Sequence, residues 1–95
     1  MEELQKGDYI YYAQIFKPPI GTYTVIELKV HNINDEYKYF TGCEVSKSKQ
    51  TYIFKFDDFG KIVFANINQA VDMVEEAEQK FGKITRTKEV VLEEE

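Results

Sequence analysis

The chain has 95 residues and a formal net charge of −5, with 43% hydrophobic and 15% aromatic residues, including seven Tyr, seven Phe and no Trp. That is enough apolar material for the core of one domain and too little length for a second, and it excludes a wholly disordered chain. No apolar run approaches the ~20 residues that a membrane-spanning helix requires.

Gly7-Asp8 is a turn signal, and the Tyr-, Ile- and Phe-rich run from Tyr9 to Phe16 predicts a first strand. Lys17-Pro18-Pro19-Ile20-Gly21 cannot continue it, because two prolines lack N–H donors and the glycine permits a sharp change of direction. Thr22 to Ile33 reads as a long second strand. Thr24, Ile26, Leu28 and Val30 fall on one face and Glu27, Lys29 and His31 on the other. The turn residues from Asn32 to Glu36 end it.

Tyr37 to Val45 predicts a third strand, in which Gly42 marks either a bulge or a close backbone approach. Ser46-Lys47-Ser48-Lys49 is a polar hairpin tip. Thr51 to Asp57 forms the fourth strand, with Tyr52, Phe54 and Phe56 alternating against Thr51, Ile53, Lys55 and Asp57. Asp57-Asp58-Phe59-Gly60 turns the chain, and Lys61 to Ala65 is a short fifth strand.

The hydrophobic period then changes from two to 3.6. Ile67, Ala70, Val71, Val74, Ala77 and Phe81 share one helical face, opposite Asp72, Glu75, Glu76 and Gln79. The spacing predicts a helix over 67–81, with Asn66 as N-cap, Gln69 completing a capping box and Gly82 as the stop. Val71, Val74 and Phe81 are expected to be buried against the sheet. The fold class is therefore α+β: a strongly curved antiparallel sheet closed by one C-terminal amphipathic helix over an open end or an exposed edge. Residues 1–82 form the domain. Residues 83–95 are an acidic extension that either adds a short strand or frays.

Charge is unevenly distributed. Residues 1–71 carry nine acids and eight bases, whereas residues 72–95 carry eight acids and four bases. A general electrostatic grip on nucleic acid needs clustered Lys and Arg, so nucleic acid is disfavoured as a partner. Cys43 is the only cysteine and His31 the only histidine. No internal disulfide and no zinc site of the usual four protein ligands can form, and no cofactor is expected. Met1 to Lys6 lack the apolar stretch of a secretory signal, so a cytoplasmic location is expected.

Two segments carry a resemblance: Gly7-Asp8-Tyr9-Ile10-Tyr11-Tyr12 at the first strand, and Lys61-Ile62-Val63-Phe64-Ala65-Asn66-Ile67-Asn68-Gln69-Ala70, where a short last strand runs through a cap into a helix. The chain resembles the small SH3-like barrel proteins encoded by bacteriophages, prophages and other mobile elements of Gram-positive bacteria. The likeness covers roughly residues 7–82, and its motifs are structural. It implies a partly open SH3-like barrel of about five strands in a protein of the bacterial host cytoplasm. It brings no catalytic residues. Eukaryotic SH3 domains match poorly, since the Trp of their proline-binding groove is missing.

Candidate chemistry is sparse. Cys43 and His31 could be a nucleophile and a base, but no oxyanion-type turn or orienting partner accompanies them. Asp57-Asp58 and Asp35-Glu36 lack the spaced oxygen ligands of a calcium loop and read as turn residues. Seven tyrosines are many for so small a core, and tyrosine is favoured where proteins meet. Rings at the adjacent positions 11 and 12 must point to opposite faces, so at least one exposed aromatic is expected. The partner-binding candidates are Tyr11, Tyr12, Tyr39, Asp72, Glu75, Glu76 and Gln79. Lys47, Lys49 and Lys55 with Tyr52 are the alternative, a surface for stacking and phosphate contact with single-stranded nucleic acid. The function expected is non-enzymatic: a phage or mobile-element accessory protein that binds another protein. Inhibition of a host defence complex, as by an anti-CRISPR protein, is its specific version.

Overall fold

The computed structural model describes residues 4–46 and 49–82. The order of elements is β1 (Tyr9–Phe16), β2 (Thr22–Asn34), β3 (Tyr39–Glu44), β4 (Thr51–Lys55), a 3-10 turn (Phe56–Asp58), β5 (Val63–Phe64) and α1 (Ile67–Phe81). All five strands lie in one sheet of order β4-β3-β2-β1-β5, and every neighbouring pair is antiparallel. The sheet is not closed, because β4 and β5 remain its two edges.

The limits of β1 and α1 are those the sequence predicts. The second strand runs past its expected end at Ile33, because Asn32 and Asn34 pair with Thr41 and Tyr39, whereas turn chemistry trims the third and fourth strands. Asn34 accepts the Tyr37 N–H on Oδ1 at 2.8 Å, and Lys38 takes a positive φ of 61°, so β3 starts at Tyr39. Asp58 accepts the Lys55 N–H on Oδ2 at 2.9 Å and turns Phe56–Asp58 into a 3-10 helix, so β4 ends at Lys55. The fifth strand shrinks to Val63–Phe64.

Apolar residues occupy both faces of the sheet. On one face Leu4, Ile10, Leu28, Val30, Phe40, Phe54 and Val63 form a cluster, flanked by Tyr12, Tyr52, Phe56 and Phe59. The Tyr12 ring lies 5.1 Å from that of Phe54 although β1 and β4 are not neighbours, which shows how strongly the sheet curls around this face. Gly42 lets it do so. It lies opposite Val30, and a Cβ there would stand 3.1 Å from Leu28 Cβ. The close approach is at Gly42, while the register shift lies across from it, between Val30 and Asn32 on β2.

The opposite face holds Ala13, Phe64, Ala70 and Val74, with Tyr11, Ile15, Tyr23, Val25 and Met73 beside them. Here the expectation for the helix needs correcting. α1 does not plug an open end; it lies along the face of β1 and β2 and reaches β5. Its buried stripe is Ala70, Val74 and Ala77, while Val71 and Phe81 are half-buried and Ile67 is exposed. Small alanines let the helix approach the sheet closely, which leaves the larger side chains at the rim of the contact.

Asn66 caps the helix, accepting the Asn68 N–H at 2.8 Å, and the Gln69 N–H bonds to the Asn66 carbonyl in place of a full capping box. Gly82 ends the helix with φ 82°, its N–H on the Glu78 carbonyl. Its own carbonyl accepts the Tyr23 hydroxyl at 2.7 Å, which ties the end of α1 to β2. No helix among the described residues is long and apolar enough to cross a membrane.

Candidate functional site

Because Ala70, Val74 and Ala77 take the sheet side of α1, the spacing of 72, 75, 76 and 79 turns those residues outward. Asp72, Glu75, Glu76 and Gln79 are all exposed. Beside this acidic face an opening lies between residues of α1 and of β1. The opening between them is a groove of about 680 Å³, floored by Ala13, Ile15, Ile62, Met73, Ala77 and Phe81. Glu76 stands on its rim and belongs to both surfaces. At the far end Lys17 and Lys80 lie over the Phe81 ring, with Nζ 4.7 and 5.4 Å from its centroid. Cations so placed cover the ring face while their ammonium groups stay in water.

The tyrosine candidates are placed differently from the expectation. Tyr11 and Tyr12 do point to opposite faces, but α1 covers one face and the curl of the sheet covers the other. Both rings are half-buried. The Tyr11 hydroxyl donates to Glu27 Oε2 at 3.4 Å, and the Tyr12 ring packs 5.6 Å from Tyr52. Tyr39 is half-buried as well, its hydroxyl accepting from Asn34 Nδ2. The exposed tyrosines are Tyr9 and Tyr37, at 50% and 72%.

The alternative nucleic-acid surface is not assembled as one face. Tyr52 turns inward with Phe54, and the two rings stack with centroids 6.4 Å apart. Lys55, at odd parity on the same strand, turns to the opposite face. The Tyr52 hydroxyl donates to Glu44 Oε2 at 2.8 Å, and this bond to a carboxylate, with burial second, raises its pKa. Lys49 is exposed beyond the start of β4. Lys47 lies outside the described residues, as does the extension 83–95.

Cys43 is paired with Lys29 across the sheet, and its thiol donates to the Lys49 carbonyl at 3.4 Å. His31 stands, exposed, at the register shift of β2. Asp58 serves the turn through its bond from Lys55, as turn chemistry requires. Among the described residues no group of three or more His, Cys, Asp or Glu is arranged to hold a metal ion.

The exposure of Asp72, Glu75, Glu76 and Gln79 follows from their spacing, whereas the groove is not among the sequence-based candidates. Its signal is the row Met73, Ala77 and Phe81, spaced by four along one edge of the buried stripe. A helical row shows which residues lie together, but not which distant residues complete a groove beside them. Comparison with protein-family models, with curated proteins and with solved structures found no match to this chain.

Proposed function

We propose that this protein is a non-catalytic module that binds another protein through α1. The observation that carries the reading is the junction at Glu76, where an exposed acidic helix face meets an open apolar groove. An apolar floor bounded by charged side chains is the usual composition of a protein-binding surface. The acidic face would steer a partner with a basic surface, and the groove would take an apolar side chain from it.

The finer reading joins this proposal. A four-strand meander followed by a 3-10 turn and a short fifth strand that returns to pair with β1 supports an SH3-like, partly open barrel. With the resemblance to mobile-element proteins, it supports an accessory role in a bacterial host. There the basic nucleic-acid channel of a defence complex, such as a CRISPR effector, is the partner class that an acidic helix face suits. Binding to nucleic acid itself is the second reading, disfavoured because Tyr52 and Lys55 turn to opposite faces of β4.

The test is inhibition of DNA cleavage by purified CRISPR effectors of Gram-positive bacteria, alongside fluorescence anisotropy with labelled DNA and RNA. We expect inhibition that is lost in the triple variant Glu75→Lys, Glu76→Lys, Gln79→Lys, with its melting curve unchanged. Anisotropy should stay flat at physiological salt. Tight nucleic-acid binding that weakens steeply with salt would overturn the protein-binding reading. Inhibition that the triple variant retains would remove α1 from it.

A further inference from the structure

β4 is an edge of the sheet, with no partner strand beyond it among the described residues. The Gln50 carbonyl accepts from the Glu44 N–H at 2.8 Å, and the Phe56 N–H donates to the Lys38 carbonyl at 3.0 Å. Even-numbered residues therefore turn their main-chain groups toward β3, and the odd-numbered residues 51, 53 and 55 turn theirs outward. One outward donor is taken, since the Lys55 N–H bonds to Asp58 Oδ2. The N–H and C=O groups of Thr51 and Ile53 meet no strand among the described residues. The Ile53 side chain between them is 72% exposed. A free edge with an exposed β-branched apolar residue at its centre is a template for pairing with another strand.

We propose that this edge pairs antiparallel with the same edge of a second copy of the chain, about a two-fold axis at Ile53. The register is self-complementary. Ile53 meets Ile53 of the other copy, so an exposed apolar pair becomes covered, and Thr51 stands opposite Lys55. The exposed Lys49 of one copy runs toward the turn of the other, where Asp57 is exposed. A parallel arrangement would set like residues side by side and lose this match. Asp58 limits the ladder to its centre by holding the Lys55 N–H, so the contact is small and the dimer weak and reversible, roughly micromolar or above. The surface lies on the strand farthest from β5 and is independent of the groove beside α1.

Sedimentation equilibrium on the full chain, from roughly micromolar to millimolar concentration, tests the pairing. A monomer–dimer equilibrium is expected, with amide exchange at Thr51 and Ile53 slowing as concentration rises. Ile53→Asp should weaken dimerisation by about tenfold or more, because like charges then face each other and the apolar pair is lost. Its melting curve should match the parent, since the side chain is exposed. Lys49→Asp should also weaken the dimer, and Lys49→Asp combined with Asp57→Lys should restore it. A chain that stays monomeric throughout, or a dimer that neither Ile53→Asp nor Lys49→Asp weakens, would overturn the proposal.

Discussion

Gly42 offers the sharpest test of how the sheet is packed. Positive φ angles occur at other glycines, so the backbone at Gly42 would accept alanine and only space opposes it. A Cβ there would lie 3.1 Å from Leu28 Cβ and 3.3 Å from Leu28 Cδ1, with Ile10 Cδ1 at 3.6 Å. Carbon atoms rest about 3.5–4.0 Å apart, so the neighbours must yield by a few tenths of an ångström. Leu28 Cδ1 can turn away, but Leu28 Cβ is fixed to a strand held by Ile10 on one side and Glu44 on the other.

Overpacking of this kind costs about 1–3 kcal/mol. Against it stands a gain of about 0.4–1 kcal/mol from stiffening the unfolded chain. The expected outcome for Gly42→Ala is a net loss of about 1–2 kcal/mol, read in urea as a midpoint about 1 M lower with an unchanged slope. A midpoint at or above the parent's would show that β2 and β3 do not approach as described.

Val74→Asp places a carboxylate at a position 8% exposed between α1 and the sheet. The unpaired charge should cost several kcal/mol, a large part of the ~5–14 kcal/mol expected for a chain this long, and the circular-dichroism melt should be lost or shifted far down. Tyr52 makes a prediction in alkali. Its bond to Glu44 raises the folded pKa, so its stabilisation is fully present below the unfolded tyrosine value near ~10 and is lost as pH rises through the folded value. Absorbance at 295 nm should show a late-titrating component in the parent that Tyr52→Phe removes, and the variant's alkaline unfolding should be correspondingly shallower.

The sequence by itself determined the local elements. The Tyr-rich run bounded by Asp8 and Lys17, the change of period at Asn66 and the stop at Gly82 are all contained in neighbouring residues, and β1 and α1 fall within the predicted limits. Strand ends at Tyr39 and Lys55 were less legible, because side-chain bonds from Asn34 and Asp58 decide them. The acidic helix face was readable because a helix with one apolar stripe must turn its other side to water.

Only the tertiary structure decided what covers each face of the sheet. Alternation places Tyr11 and Tyr12 on opposite sides, but whether either meets solvent depends on α1 lying over one face and β4 curling over the other. Tyr9 and Tyr37 are exposed because neither cover reaches them. The groove has the same origin. Met73, Ala77 and Phe81 are neighbours by helical spacing, yet the groove beside them is completed by Ala13, Ile15 and Ile62, which are distant in sequence. Periodicity fixes the direction of a side chain relative to its own backbone, whereas burial depends on segments distant in sequence.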